Sequence, residues 1–137
     1  MRQFDQMKEA HKTIYASMEE IDKMLTDIEG NAAQIAKGIS RMAGTLKIHL
    51  GNEDRYLYPT MLKNEDATLQ KKAKEFQSEM GGLSQEFMAF KDNYNTQPKI
   101  IKNLSTAEKD IKQVFKKINE RMHKEDKDLY PLAEKVM

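Results

Sequence analysis

Apolar residues recur along this chain at alternating spacings of three and four, the period of one face of an α-helix. A first stripe runs Phe4, Met7, His11, Ile14, Met18, Ile21, Leu25 and Ile28. A second runs Ile35, Ile39, Met42, Leu46, His49, Glu53 and Tyr56 with Leu57. The third is Leu69, Ala73, Phe76, Met80, Leu83, Phe87, Phe90 and Tyr94. The fourth is Leu104, Ala107, Ile111, Val114, Ile118, Arg121, Glu125, Leu129 and Leu132. Between them, Gly30-Asn31 reads as a C′ glycine followed by an N-cap. Pro59 with the polar run 63–66 ends the second stripe, and the segment 92–98 closes the third as a loop. Ser105 or Thr106 is expected to cap the fourth. The pattern predicts an all-α chain: an up-down-up-down antiparallel four-helix bundle occupying residues 1–137 as one domain. Gly44 and Gly51, seven apart on one face, suggest close helix contact.

Composition narrows the function. A chain of 137 residues can bury one modest core. Hydrophobic residues at 39% are too many for a disordered chain, and a mean hydropathy of -0.80 is too polar for a membrane protein. Lys+Arg 23 against Asp+Glu 22 leaves a net charge of +1, with the signs interspersed, so no nucleic-acid partner is expected. The absence of cysteine excludes disulfides, cysteine-ligated zinc, iron–sulfur clusters and thiol catalysis. No apolar leader or membrane-length run is present, so a cytoplasmic protein without a membrane partner is expected.

The seams are not apolar throughout. His11, His49, Glu53, Arg121 and Glu125 all occupy stripe positions, where an unpaired charge would cost several kcal/mol. In an antiparallel bundle their heights agree, which predicts a two-layer polar patch rather than scattered exceptions. The chain also repeats itself. Residues 53–59 read EDRYLYP and residues 125–131 read EDKDLYP, with His49 and Arg121 each four residues before the glutamate. An i, i+4 histidine and glutamate share one helix face, a geometry suited to a metal ion.

These residues carry a resemblance. His11, His49-x-x-x-Glu53 followed by Leu57-Tyr58-Pro59, and Glu125 followed by Leu129-Tyr130-Pro131 resemble hemerythrin and the bacterial hemerythrin-like (HHE cation-binding) domains over almost the whole chain. The resemblance implies a four-helix bundle with a non-haem di-iron centre, bridged by two carboxylates and completed by histidines, that binds oxygen, responds to oxygen or nitric oxide, or handles iron. His11, His49, Glu53 and Glu125 match one iron's histidines and both bridging carboxylates. The pattern departs elsewhere. Arg121 stands where the family's fourth helix has a histidine, and residues 66–95 contain none, with Met80 near the expected place. The expectation is therefore one metal, iron, rather than two. Reversible oxygen carriage in the family draws one electron from each of two irons, which one iron cannot supply.

Rival readings stay open from sequence. Glu125 could bind the metal, pair with Arg121, or do both, since a carboxylate has two oxygens. Arg121 has no lone pair to offer a metal and would supply fixed charge. Met80 and Tyr15 are expected beside the ligands, each with plain core packing as the alternative. His123, two residues past Arg121, points away and is expected at the surface. A metal-free bundle held by an Arg121–Glu53/Glu125 ion network is the second reading. A carboxylate-bridged oxidase or peroxidase is the third, and it needs a substrate pocket as well as a metal.

Overall fold

The computed structural model describes the backbone of residues 2–137 and the side chains of residues 4–137. Helix α1 (Arg2–Met24) leads through a 3-10 turn, Leu25–Asp27, into α2 (Ile28–Asn52). A π turn, Glu53–Leu57, joins α2 to α3 (Tyr58–Leu62), so residues 28–62 form one rod. Helices α4 (Ala67–Met80) and α5 (Leu83–Tyr94) make the third rod, and the short α6 (Gln97–Lys102) follows. Helix α7 (Leu104–Lys124) runs through a second π turn, Glu125–Leu129, into α8 (Tyr130–Val136). The four rods form a four-helix bundle with no strand among the described residues. Paired positions run in opposite chain directions. Ile21 meets Gly38 while His11 meets His49, and Glu79 pairs with Lys124 while Glu86 pairs with Lys117. No helix is long and apolar enough to cross a membrane among the described residues.

Several breaks differ from the sequence expectation. The first corner turns at Asp27, whose carboxylate accepts the Gly30 N–H at 3.0 Å, so Gly30 and Asn31 lie inside the first turn of α2. Aspartate is as good an N-cap as asparagine and comes first in the chain. Asn31 instead ties the corner by donating to the Met24 carbonyl at 3.2 Å. Asn103, not Ser105 or Thr106, stands at the N-cap of α7. The segment 92–98 is less loop than expected, because α5 continues to Tyr94 and α6 begins at Gln97 with Ile100 buried.

The third rod is interrupted at Gly81-Gly82. Gly82 has φ 86°, and a Cβ at Gly81 would collide with the Gln77 carbonyl, so neither position suits another residue. The apolar stripe continues across the break, which is why it conceals it.

Pro59 does not end the second rod. A proline lacks an N–H and its ring crowds the carbonyl four residues back, here Arg55. The π turn absorbs this: the Tyr58 N–H bonds to the Glu53 carbonyl, five residues back. Pro131 repeats the arrangement, with Tyr130 N–H on Glu125. The extra residue shifts the buried face. Tyr56, expected on the stripe, is 63% exposed, while Leu57, Tyr58 and Met61 are buried. Likewise Ala133 rather than Leu132 is fully buried.

Apolar packing falls into two clusters. One gathers Ile14, Leu46, Leu50, Ile118 and Met122 with the rest of that half. The other gathers Phe4, Leu57, Tyr58, Phe76, Leu129 and Tyr130. On each seam that carries them, the buried polar residues lie between the two clusters. They form a polar layer with oil on both sides.

Gly44 and Gly51 do not mediate the close contact expected of them, since nothing lies within 4 Å of a Cβ built at either. Each therefore carries the backbone-entropy cost of a helical glycine without relieving a clash. Gly44→Ala and Gly51→Ala should each raise stability by about 0.5–1 kcal/mol. Urea melts at equal m-value will show this as a higher midpoint.

Candidate metal centre

Three of the four rods are brought to one point by their polar positions, the second rod supplying two residues. Helix α1 supplies His11, α2 supplies His49, and the two π turns begin with Glu53 and Glu125. All four are buried, His49 the least at 5% exposed and both glutamates at 0%. One atom from each, an imidazole nitrogen or a carboxylate oxygen, falls within 4.8 Å of the others. His11 Nε2 lies 3.3 Å from Glu125 Oε1 and 3.9 Å from Glu53 Oε1, and His49 Nε2 lies 2.5 Å from Glu53 Oε1. The two imidazoles meet edge to face with centroids 4.7 Å apart.

The other oxygen of each carboxylate is already engaged. Glu125 Oε2 accepts from the Tyr58 hydroxyl at 2.7 Å and from Arg121 Nε at 3.3 Å. Glu53 Oε2 accepts from the Tyr130 hydroxyl at 3.0 Å and lies 3.8 Å from Arg121 Nη2. The tyrosines thus cross, each repeat bracing the other repeat's glutamate. In a regular helix a residue five positions on points well away from the first. The π turn brings Tyr58 and Tyr130 round to the seam.

Arg121 is fully committed. Its Nε bonds to Glu125, its Nη1 to the Met80 carbonyl at 3.2 Å, and its Nη2 to Asp54 at 3.0 Å. Its guanidinium sits 5.5 Å from the Tyr58 ring centroid. Met80 therefore takes part through its backbone at the end of α4, while its half-buried side chain packs on the second apolar cluster. Tyr15 is half-buried against the first cluster. His123 is exposed, as expected.

Charge in this layer is unevenly held. Burial opposes ionisation of Glu53, but the adjoining Glu125, His11 and His49 side chains overcome it and hold the group well below the ordinary carboxylate range. Burial pushes Glu125 up, and the neighbouring Glu53 charge adds to the effect. Two adjacent carboxylates cannot both ionise freely, so the metal-free pair retains a proton. Burial opposes a charge on His11 as well, yet the hydrogen bond to Asp126 and the nearby Glu125 and Glu53 carboxylates push it up to about 11. Burial and the nearby carboxylates raise both Tyr58 and Tyr130, which keeps their hydroxyls as donors. Burial would lower Arg121, but Glu125 and Glu53 outweigh it and fix the cation.

The donor set fits a metal ion. His11 Nε2, His49 Nε2, Glu53 Oε1 and Glu125 Oε1 are all buried without a hydrogen-bond partner, and they are the atoms that converge. Orphaned buried polar atoms are costly and rare, and an ion among them resolves all four at once. Two nitrogens and two carboxylate oxygens are ordinary ligands for a divalent first-row metal.

Fold and site together define a cation-binding helical bundle, polar at one layer and apolar on both sides of it. The Hemerythrin HHE cation binding domain model matches residues 2–133, and the chain belongs to this family. Neither a curated protein nor a solved structure matches the chain.

Sequence reasoning named Tyr58 and Tyr130 only within the Leu-Tyr-Pro motifs and gave no role to them, to Asp54 or to Asp126. The repeat was the available signal, since the Glu-Asp pair and Leu-Tyr-Pro are identical in both copies while the residues between differ.

Two outcomes follow from this electrostatics. Arg121→Ala removes the fixed cation beside two buried carboxylates and should destabilise the metal-free protein by about 3–5 kcal/mol in urea unfolding. Metal ions bind the deprotonated ligands, while His11 and Glu125 both hold protons more tightly than usual. Zinc uptake at neutral pH should therefore release protons, and affinity should fall as the pH is lowered. Titration calorimetry in buffers of different ionisation enthalpy measures both.

Proposed function

We propose that this protein binds one non-haem iron ion through His11, His49, Glu53 and Glu125, and that it senses oxygen or nitric oxide or handles iron. The observation that carries the reading is the convergence of four buried, unpartnered donor atoms on one point. Family membership supports a cation there. Two neutral imidazoles and two carboxylates suit Fe(II), and zinc or manganese can enter the same donors. Iron held there supplies a one-electron couple and affinity for O2 and NO. The chain itself contributes the rest. The tyrosines hold the carboxylates in place, Arg121 offsets one negative charge, and the apolar clusters on either side keep water away.

The count of one rests on Arg121. It occupies the other side of both carboxylates with every nitrogen engaged, and it offers no lone pair. Among the described residues no second group of three or more histidines and acids is placed to hold an ion. A single one-electron centre favours sensing or iron handling over reversible oxygen carriage.

One observation favours the metal-free reading: Arg121 does lie against both glutamates. That network engages only the Oε2 atoms, and it leaves the four inward donors orphaned. Elemental analysis of protein purified without added metal separates the readings. One equivalent of transition metal per chain is expected, and His11→Ala or His49→Ala should abolish its retention while His123→Ala retains it. Two full equivalents, or none after exposure to Fe(II), would refute the proposal.

A further inference from the structure

The two copies of the repeat build one socket twice. In the second copy Asp126 Oδ1 lies 2.8 Å from His11 Nδ1, and Glu125 Oε1 faces His11 Nε2 at 3.3 Å. The Tyr130 ring stacks on that imidazole, with centroids 5.5 Å apart and planes 19° from parallel. In the first copy Asp54 Oδ1 accepts from Arg121 Nη2 at 3.0 Å, and Glu53 Oε2 lies 3.8 Å from the same nitrogen. The Tyr58 ring lies beneath that guanidinium, 5.5 Å from its carbon. Each aspartate thus grips the group on which its own copy's tyrosine stacks. One socket holds an imidazole and the other a guanidinium.

We propose that Asp126 is a positioning residue for the metal centre, fixing the tautomer and rotation of His11 so that the Nε2 lone pair faces Glu53 and Glu125, whereas its counterpart Asp54 anchors Arg121 and leaves the metal unaffected. The inference rests on the metal reading above. A neutral imidazole carries one hydrogen on either of two nitrogens. The Asp126 carboxylate only accepts, so it draws that hydrogen to Nδ1 and leaves Nε2 as the lone-pair donor. Without Asp126 the hydrogen has another place to go. Glu125 Oε1 and Glu53 Oε1 lie on the Nε2 side with no partner of their own, and a proton placed between them would close the ring to a metal. Arg121 needs no such steering from Asp54, because Glu125 and the Met80 carbonyl hold its other nitrogens.

Asp126 is 30% exposed, which lets it be replaced without leaving a buried cavity. The test uses full-length Asp126→Leu, Asp126→Asn and Asp54→Asn with Zn(II) as probe and a chromophoric chelator as competitor. Asp126→Leu should weaken zinc by about 10–100-fold, the usual effect of removing a carboxylate behind a ligating histidine. Asp126→Asn keeps a carbonyl acceptor and should recover part of that loss. Asp54→Asn should bind zinc as the wild type does. Equal losses at both aspartates would overturn the proposal, because they would reflect negative charge in general rather than the orientation of His11. A second arm uses the metal-free proteins. Nitrogen-15 spectra should show a slowly exchanging, hydrogen-bonded His11 Nδ1–H in the wild type that exchanges rapidly in Asp126→Leu, and unchanged protection there would also overturn the proposal. Failure of the wild type to bind zinc would sink the metal reading instead, and the spectra would still decide whether Asp126 holds the ring.

Discussion

Two carboxylates buried side by side are the constraint that the rest of this bundle answers. Glu53 and Glu125 have no solvent exposure, and each buried charge without compensation costs several kcal/mol. One permanent cation, Arg121, stands against them. The arrangement shares it out through the Oε2 atoms, adds a phenol hydroxyl to each, and leaves the Oε1 atoms turned toward two imidazoles. Two negative charges and one positive leave an excess of one, and among the described residues no other lysine or arginine pairs with either carboxylate. In metal-free protein a proton retained by the pair makes up the difference, and a charged His11 is answered by Asp126. A divalent ion with neutral imidazoles supplies two charges, one for that excess and one for Asp126, without leaving any inward donor orphaned. The apolar clusters on either side matter here, because exclusion of water strengthens every one of these interactions.

Proline is where this arrangement begins in the sequence. Pro59 and Pro131 cannot join a regular helical ladder, so each rod widens by one residue just before them. The widening has two effects that a straight helix could not combine. It places a glutamate and the tyrosine five residues later on the same seam, and it lets the rod continue instead of ending. Each tyrosine can then reach across to the glutamate of the other rod. The proline, the π turn and the crossed hydrogen bonds are successive links of one chain of cause. A substitution at the proline would act on the carboxylates through the turn.

How much of this was legible in the sequence depends on the range of the interaction. The four rods and the shared height of His11, His49, Glu53, Arg121 and Glu125 follow from helical period alone, and the structure places these residues together. Features set by backbone detail were hidden. The Gly81-Gly82 break leaves Met80 and Leu83 on the same stripe, so periodicity passes over it. The π turns move Tyr56 outward and Tyr58 inward, which a fixed period of 3.6 predicts the other way round. Asp54 and Asp126 lie off the stripes, and their partners come from other rods, so only packing reveals them. The corner at Asp27 was missed for a different reason: two adequate caps stand close together, and the glycine drew attention to the wrong one.

The asymmetry of the two sockets sets the character of the centre. Arginine keeps its proton at any physiological pH and cannot leave, so the charge at the Asp54 end is constant. That charge is a fixed near neighbour of both carboxylates, 3.3 Å from Glu125 Oε2 and 3.8 Å from Glu53 Oε2. A histidine in its place would lose its charge on giving up its proton, and the two glutamates would then lack a permanent counter-charge. The substitution of guanidinium for imidazole in one of two equivalent sockets thus does more than remove a ligand: it exchanges a group that titrates for one whose charge is constant.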